Sequence, residues 1–424
     1  MTTAFPAPPQ LAPPPPGPPR PLPERWRAVA LLTPWRSAQL VVAEVVCDST
    51  LDAMRVRLHG LEQGRAELLF TDGAGYVVHR RAEGTSLEGP VAVPVMVPGP
   101  DWLADHVVCQ GVGDVLGIPC TWWTGSTTCR NSYQNQKTPP STVANTFNLR
   151  ADTGAPLRFV FVNPDNDYRL PVLGAYAIVH LPEFAALDHT DLQDLLDLVP
   201  KAMPPAPGLG LATADDFDRL LAASDIDPAD PTDGVATLLP GIGPPGDHGR
   251  LPSWPERMFL TSFSTPTAGP APLPTQVFYD WPRRRMLTRL WTPDGGYEDA
   301  VLDSSSTHVV ARHPDGSHTC VSVLPVGLVK PHWAGDDRGA CRAVIKDHPV
   351  LSPGRTTYVC VLPSRPGQVF WTWYTGDDEP VMFIEVPQAC DVMLLLTDYA
   401  DYDPAPGPFD DALFDVPADC RTGA

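Results

Sequence analysis

The feature that most constrains this chain is a segment it carries twice, 232 residues apart. Pro23-Glu24-Arg25 returns as Pro255-Glu256-Arg257, Thr33-Pro34 as Thr265-Pro266, and Val45 as Val277. Asp48, Met54 and Arg57-Leu58 return as Asp280, Met286 and Arg289-Leu290, at the same offset and without a gap. Ten identities at one offset within 36 positions exceed what chance pairing gives, and self-similarity on this scale is the signature of duplication. A length of 424 residues accommodates two domains more easily than one core.

The repeated window reads as strand, turn, strand. Apolar side chains alternate through 41–47 and again at Met54, Val56 and Leu58, the period of a half-buried strand. Asp48-Ser49-Thr50-Leu51-Asp52 and Asp280-Trp281-Pro282-Arg283-Arg284 are turn-like, and retention of Asp48 and Asp280 in both copies points to a fold role. Thr71-Asp72-Gly73, Pro293-Asp294-Gly295 and Pro314-Asp315-Gly316 add hairpin signals. Helix signals gather in the middle, at Thr190-Asp191 before Leu192 and at Thr213 before Ala214.

These readings predict a mostly β protein of two tandem curved antiparallel sheets with a few short helices. The expected order is a disordered Pro-rich tail over 1–22, a first domain over 23–190, a helical and Pro/Gly-rich linker over 191–250, a second domain over 251–405, and a C-terminal tail over 406–424.

A net charge of −20 argues against nucleic acid and against an anionic membrane surface, both of which need clustered Lys and Arg. No apolar run reaches the roughly 20 residues of a membrane span. The N-terminus lacks the features of a secretory signal, which places the protein in the cytoplasm. Nine cysteines, an odd and scattered set, fit reduced and mostly buried thiols there.

Two stretches resemble the family of the violacein biosynthesis enzyme VioE, which has the curved sheet of the LolA-like carriers. They are Leu22-Pro23-Glu24-Arg25-Trp26 with the following strand to Trp35, and the hairpin from Thr146 to Arg158. The resemblance implies a half-barrel whose concave face holds a hydrophobic guest and, in the enzyme, directs a reactive intermediate without a cofactor. The family's hydroxyl-bearing residue on the first strand is matched by Ser264 in the second copy, whereas the first has Leu32. Its arginine after the closing strand is matched by Arg169, and its Phe-Asn pair has no counterpart.

The aromatics Phe263, Tyr279, Trp281, Trp291, Trp371 and Trp373 crowd the second copy and suit either a flat apolar ligand or ordinary core packing. His308, His313, His318 and Cys320 lack the close pairing usual for zinc, so no metal site is assigned. Gly111, Gly113 and Gly117 imitate a dinucleotide loop, but Ile118-Pro119 follows where a helix is needed, so a plain loop is expected. Arg158, on an apolar strand, is expected at the surface rather than in a polar pocket.

Two functions follow as expectations. The first is a cofactor-independent enzyme of specialised metabolism that cyclises or rearranges an aromatic or polyketide-like intermediate, with Ser264, Arg158 and Arg169 as its catalytic groups. The second is a non-catalytic carrier or sequestering protein using the same face. Either takes a hydrophobic small molecule, and open sheet edges leave homodimerisation open.

Overall fold

The computed structural model describes residues 7–15, 17–34, 40–60, 64–92, 97–104, 107–129, 141–161, 176–200, 231–244, 253–266, 272–304, 306–324, 328, 330–331, 340–365, 368–387 and 395–421. The protein is mostly β, its strands antiparallel and its helices short. The first sheet contains β1 (Arg25–Pro34), β2 (Val41–Asp48), β3 (Ala53–Gly60), β4 (Gly64–Thr71), β5 (Ala74–Arg81), β6 (Gly84–Ala92), β7 (Val108–Val115), β8 (Ile118–Cys129), β9 (Ser141–Arg150), β10 (Pro156–Val160) and β11 (Tyr176–Ala186). The second contains β12 (Ile242–Gly243), β13 (Arg257–Pro266), β14 (Leu273–Asp280), β15 (Arg285–Trp291), β16 (Tyr297–Leu302), β17 (Thr307–Arg312), β18 (His318–Leu324), β19 (Ala340–Lys346), β20 (Thr356–Arg365), β21 (Gln368–Thr375), β22 (Pro380–Pro387) and β23 (Leu395–Asp403).

Strand order in the first sheet is β6-β5-β4-β3-β2-β1-β11-β10-β9-β8-β7. The second sheet runs β18-β17-β16-β15-β14-β13-β23-β22-β21-β20-β19, with β12 added at its edge. Strand by strand the two orders correspond, and β1 and β13 begin and end 232 positions apart (25 to 257, 34 to 266). Local details repeat as well. Arg25 donates from Nε to Asp48 at 2.9 Å, and Arg257 donates likewise to Asp280 at 3.0 Å. Asp52 and Arg284 both take left-handed backbone at their turns, with φ of 46° and 53°.

Each meander is interrupted once, between its sixth and seventh strands, which stand at opposite ends of the eleven-strand order. A flat sheet of eleven strands is about 48 Å wide at about 4.8 Å per step. The connection from 93 to 107 spans at most about 54 Å fully extended. Its described part, 97–104, is not extended, because Trp102 N–H bonds the Gly99 carbonyl and Ala104 N–H bonds the Asp101 carbonyl. The first sheet therefore curves towards the face that this connection crosses.

The opposite face of the first sheet packs on the second, and one apolar core runs through both. Helix α1 (Leu192–Leu196) buries Leu192 and Leu195, as the Thr190-Asp191 signal predicted, while the Thr213 helix lies outside the described residues. Helix α2 (Pro231–Leu238) and β12 lie within the stretch read as a helical and Pro/Gly-rich linker, and Val235, Leu239 and Ile242 enter the shared core.

Several other expectations are corrected. Gly111 and Gly113 lie on β7 rather than in a loop, and Gly117 makes the β7–β8 turn with φ 77°. The Pro-rich tail is not wholly disordered, because Ala12 bridges Val112 on β7. Residues 409–420 pack Phe409, Phe414, Val416 and Cys420 on the second sheet, where the last helix, α3 (Ala418–Arg421), ends the described chain. Four cysteines are not free thiols: Cys320 bonds Cys420, and Cys341 bonds its cross-strand neighbour Cys360.

Candidate functional site

The second copy's aromatics do not form one wall. Adjacent strand residues face opposite sides, so Phe263 and Ser264 on β13 cannot line the same pocket. Register places Phe263, Trp371 and Trp373 on the face turned to the first sheet, through Met382 on β22. Trp371 and Trp373 are fully buried in the shared core, and Phe263 packs on Trp122 of β8, with ring centres 5.4 Å apart.

Ser264 and Tyr279 belong to the other face. Ser264 accepts a hydrogen bond from Thr275 at 2.9 Å, and Tyr279 meets the edge of Trp254 at 5.4 Å. Trp281 stands in the turn before β15, with the Arg284 guanidinium 3.5 Å over its ring. Trp291 donates to Gln276 and lies tilted against the Tyr297 ring, with centres 5.1 Å apart. Arg169 lies outside the described residues.

Arg158 is buried completely, not surface-exposed as expected. It projects from β10 into the seam between the sheets, donates to Asn148 at 2.9 Å, and stands 5.6 Å from the Trp122 ring. Beside it on β11, His180 packs against Trp373 at 4.9 Å. Burial, and after it the charge on Arg158, hold the His180 imidazole well below its usual range, so the ring is neutral.

A coherent aromatic site does exist, in the first copy. Trp123, Phe147 and Phe159 are register neighbours on β8, β9 and β10, so they share one face, opposite to that of Arg158. Phe161 extends the group, 6.0 Å from Phe147 and 6.3 Å from Phe159. Trp102 closes it from the β6–β7 connection, edge-on to Phe147 at 5.8 Å and to Phe159 at 5.7 Å. Trp102 and Leu103 are both buried there.

The cover is attached through the backbone of Leu22, whose N–H donates to the Pro100 carbonyl, and through the Cys47 thiol, which donates to the Pro98 carbonyl at 3.8 Å. Burial pushes the Cys47 thiol up, so it stays protonated. Trp123 satisfies its indole N–H on Thr121 at 2.8 Å. The resulting wall is neutral and apolar, able to hold rings by contact rather than by charge.

Sequence reasoning passed over these residues because tryptophan density favoured the second copy. The usable signal was the spacing of two between Phe159 and Phe161, the same test that puts Trp371 and Trp373 on one face.

Fold and site together define an antiparallel-sheet protein with an aromatic face under an inserted cover. No family model and no curated protein matches the chain. Among solved structures, an uncharacterized conserved protein from Thermus thermophilus shares 17% identity over 42% of this chain and 88% of its own, with a TM-score of 0.24. Domains LG4-5 of the mouse laminin alpha1 chain share 9% identity over 93% of this chain and 86% of theirs, with a TM-score of 0.14. Intact Ap-TbpB shares 6% over 90% and 78%, at 0.13. Likeness at this level carries no argument about fold or function.

Proposed function

We propose that the protein binds a hydrophobic, ring-bearing small molecule against the aromatic face of the first sheet, beneath residues 97–104. The observation that carries this reading is Trp102: it seals the Phe147–Phe159–Phe161 group from a connection rather than from the sheet itself. A guest ring that displaces Trp102 replaces its edge-to-face contacts with equivalent ones, so exchange costs little apolar burial.

Of the two expected functions, carriage or sequestration fits this wall better than catalysis. Among the described residues this face carries the thiols of Cys47 and Cys109, both pushed up by burial and so protonated, and Ser264 and Arg158 lie on different sheets facing different surroundings. The enzyme reading draws on one observation, the neutral His180 beside Arg158 in a buried seam, an imidazole suited to proton transfer if substrate reaches it.

Fluorescence titration of the full chain with 1-aminoanthracene, a neutral polycyclic probe, tests the binding reading. Saturable one-site binding is expected, tightened several-fold by Trp102→Ala and weakened by Phe159→Leu. No saturable binding to either wild type or Trp102→Ala, or insensitivity to both substitutions, overturns it. Incubation with extract from a strain lacking the gene then separates the functions: an accumulated intermediate is consumed by an enzyme and returned unchanged by a carrier.

A further inference from the structure

On β18, at one edge of the second sheet, His318 and Cys320 are two positions apart and project from the same side. Helix α3 brings Asp419 and Cys420 against them from the far end of the chain. Nε2 of His318 stands 3.1 Å from both carboxylate oxygens of Asp419, and Cys320 and Cys420, 100 residues apart, form a disulfide. One donor atom from each of the four residues lies within 4.8 Å of every other.

That spacing is close to what a four-coordinate cation requires. With zinc bonds of about 2.0–2.3 Å, neighbouring donors of a tetrahedron stand about 3.3–3.8 Å apart. We propose that, when the Cys320–Cys420 bond is opened, His318, Cys320, Asp419 and Cys420 close around a zinc ion. The clamp that holds the C-terminal segment to β18 therefore exists in two interchangeable forms.

The chemistry balances with a small dithiol as reductant. It gives two electrons and two protons to the Cys320–Cys420 bond, yielding two protein thiols and its own disulfide. Zinc then displaces one proton from each thiol to solvent, and the two thiolates, the neutral His318 imidazole and the Asp419 carboxylate complete its shell. Two sulfurs and an imidazole select a borderline-soft ion over magnesium or calcium, which take oxygen. Four protein donors leave no open position, so the site is structural.

Position gives the site a consequence. Cys420 belongs to the apolar cluster in which Phe409, Phe414 and Val416 cover Leu287, Val301 and Val310 of the second sheet. Zinc preserves that cover in a reducing environment, where a disulfide does not persist. His318 and Asp419 are largely at the surface, so an ion reaches them without unfolding.

The test uses the full chain, reduced with a phosphine and titrated with Co2+ as the optical stand-in for zinc. One Co2+ per chain is expected, with thiolate charge-transfer absorption and tetrahedral visible bands, bleached by one equivalent of Zn2+ and absent from the oxidised chain. His318→Ala and Asp419→Asn, which leave both disulfides possible, each weaken binding by about tenfold or more. The double variant Cys341→Ser/Cys360→Ser leaves stoichiometry and spectrum as in wild type. A reduced chain that takes up no Co2+, a spectrum indifferent to His318→Ala, or one lost with Cys341 and Cys360 overturns the proposal.

Discussion

Arg158 and Met382 occupy corresponding positions on β10 and β22, and they touch: a guanidinium nitrogen of Arg158 lies 4.0 Å from the Met382 sulfur. The two copies thus meet where each is opposite its own counterpart. An arginine in both would bury two like charges face to face, so the contact depends on the copies having diverged here. Met382→Arg is expected to cost about 3–5 kcal/mol in urea unfolding, while Met382→Leu, of similar volume, costs under about 1.5 kcal/mol. Equal midpoints for the two variants would remove the seam from the account.

His180 gives the fold a dependence on pH. Its folded pKa is depressed, mainly by burial, so the folded chain binds fewer protons than the unfolded chain below about pH 6.5. Stability is therefore full above that pH and falls as pH drops below it, by up to about 1.4 kcal/mol per unit. His348, also held low by burial, adds to the same slope; its Nδ1 accepts from the N–H groups of Val350 and Leu351. His180→Phe should flatten the slope between pH 5 and 6.5 in chemical-denaturation series, and an unchanged slope refutes the assignment.

A buried carboxylate between two arginines recurs in both sheets. Arg80 donates twice to Glu67 at 2.8 Å, with Arg57 3.3 Å away; at positions 232 further on, Arg289 and Arg312 donate to Asp299 at 2.7 and 3.0 Å. Asp299 is fully buried, so Asp299→Asn is expected to cost about 3–5 kcal/mol by leaving its arginines uncompensated. Glu67→Gln, beside a more exposed Arg80, costs less. Burial alone would raise the Glu67 carboxyl, but Arg80 and Arg57 overcome it and hold it low. Its contribution is thus present above about pH 4.3 and lost as pH falls through the lowered pKa. Acid titration of Glu67→Gln against wild type reads this difference.

The N-terminal segment protects the β7 edge. Ala12 and Val112 exchange two backbone hydrogen bonds, at 2.7 and 2.9 Å, and Leu11 lies so close over Gly113 that a Cβ there would approach it to 2.5 Å. Removing residues 1–13 uncovers the strand's backbone groups, and edges of that kind self-associate. Sedimentation should show concentration-dependent dimerisation of the truncated chain and of Gly113→Val. A monomer at all concentrations for both would show that the segment guards nothing.

Strands and hairpins were legible because their signals are local. Alternation located β2 and β3, and Asp72-Gly73 takes left-handed backbone at both positions, as a hairpin turn requires. Arg158 was misplaced because alternation says which side chains share a face, not what covers that face; here a second sheet does. The Cys320–Cys420 pair spans 100 residues, and no spacing rule links cysteines so far apart. Trp102 directly follows Pro98-Gly99-Pro100-Asp101, whose composition announces a turn and hides the insertion of the tryptophan into an aromatic group.

Because β1 and β11 are neighbours, as are β13 and β23, each meander is entered and left at its centre while its free margins are joined by an internal crossing. Such a unit resembles a ring cut at one point, and a second ring can be appended without unthreading the first. Growth by copying is then a property of the strand order itself, and needs no invention at the junction.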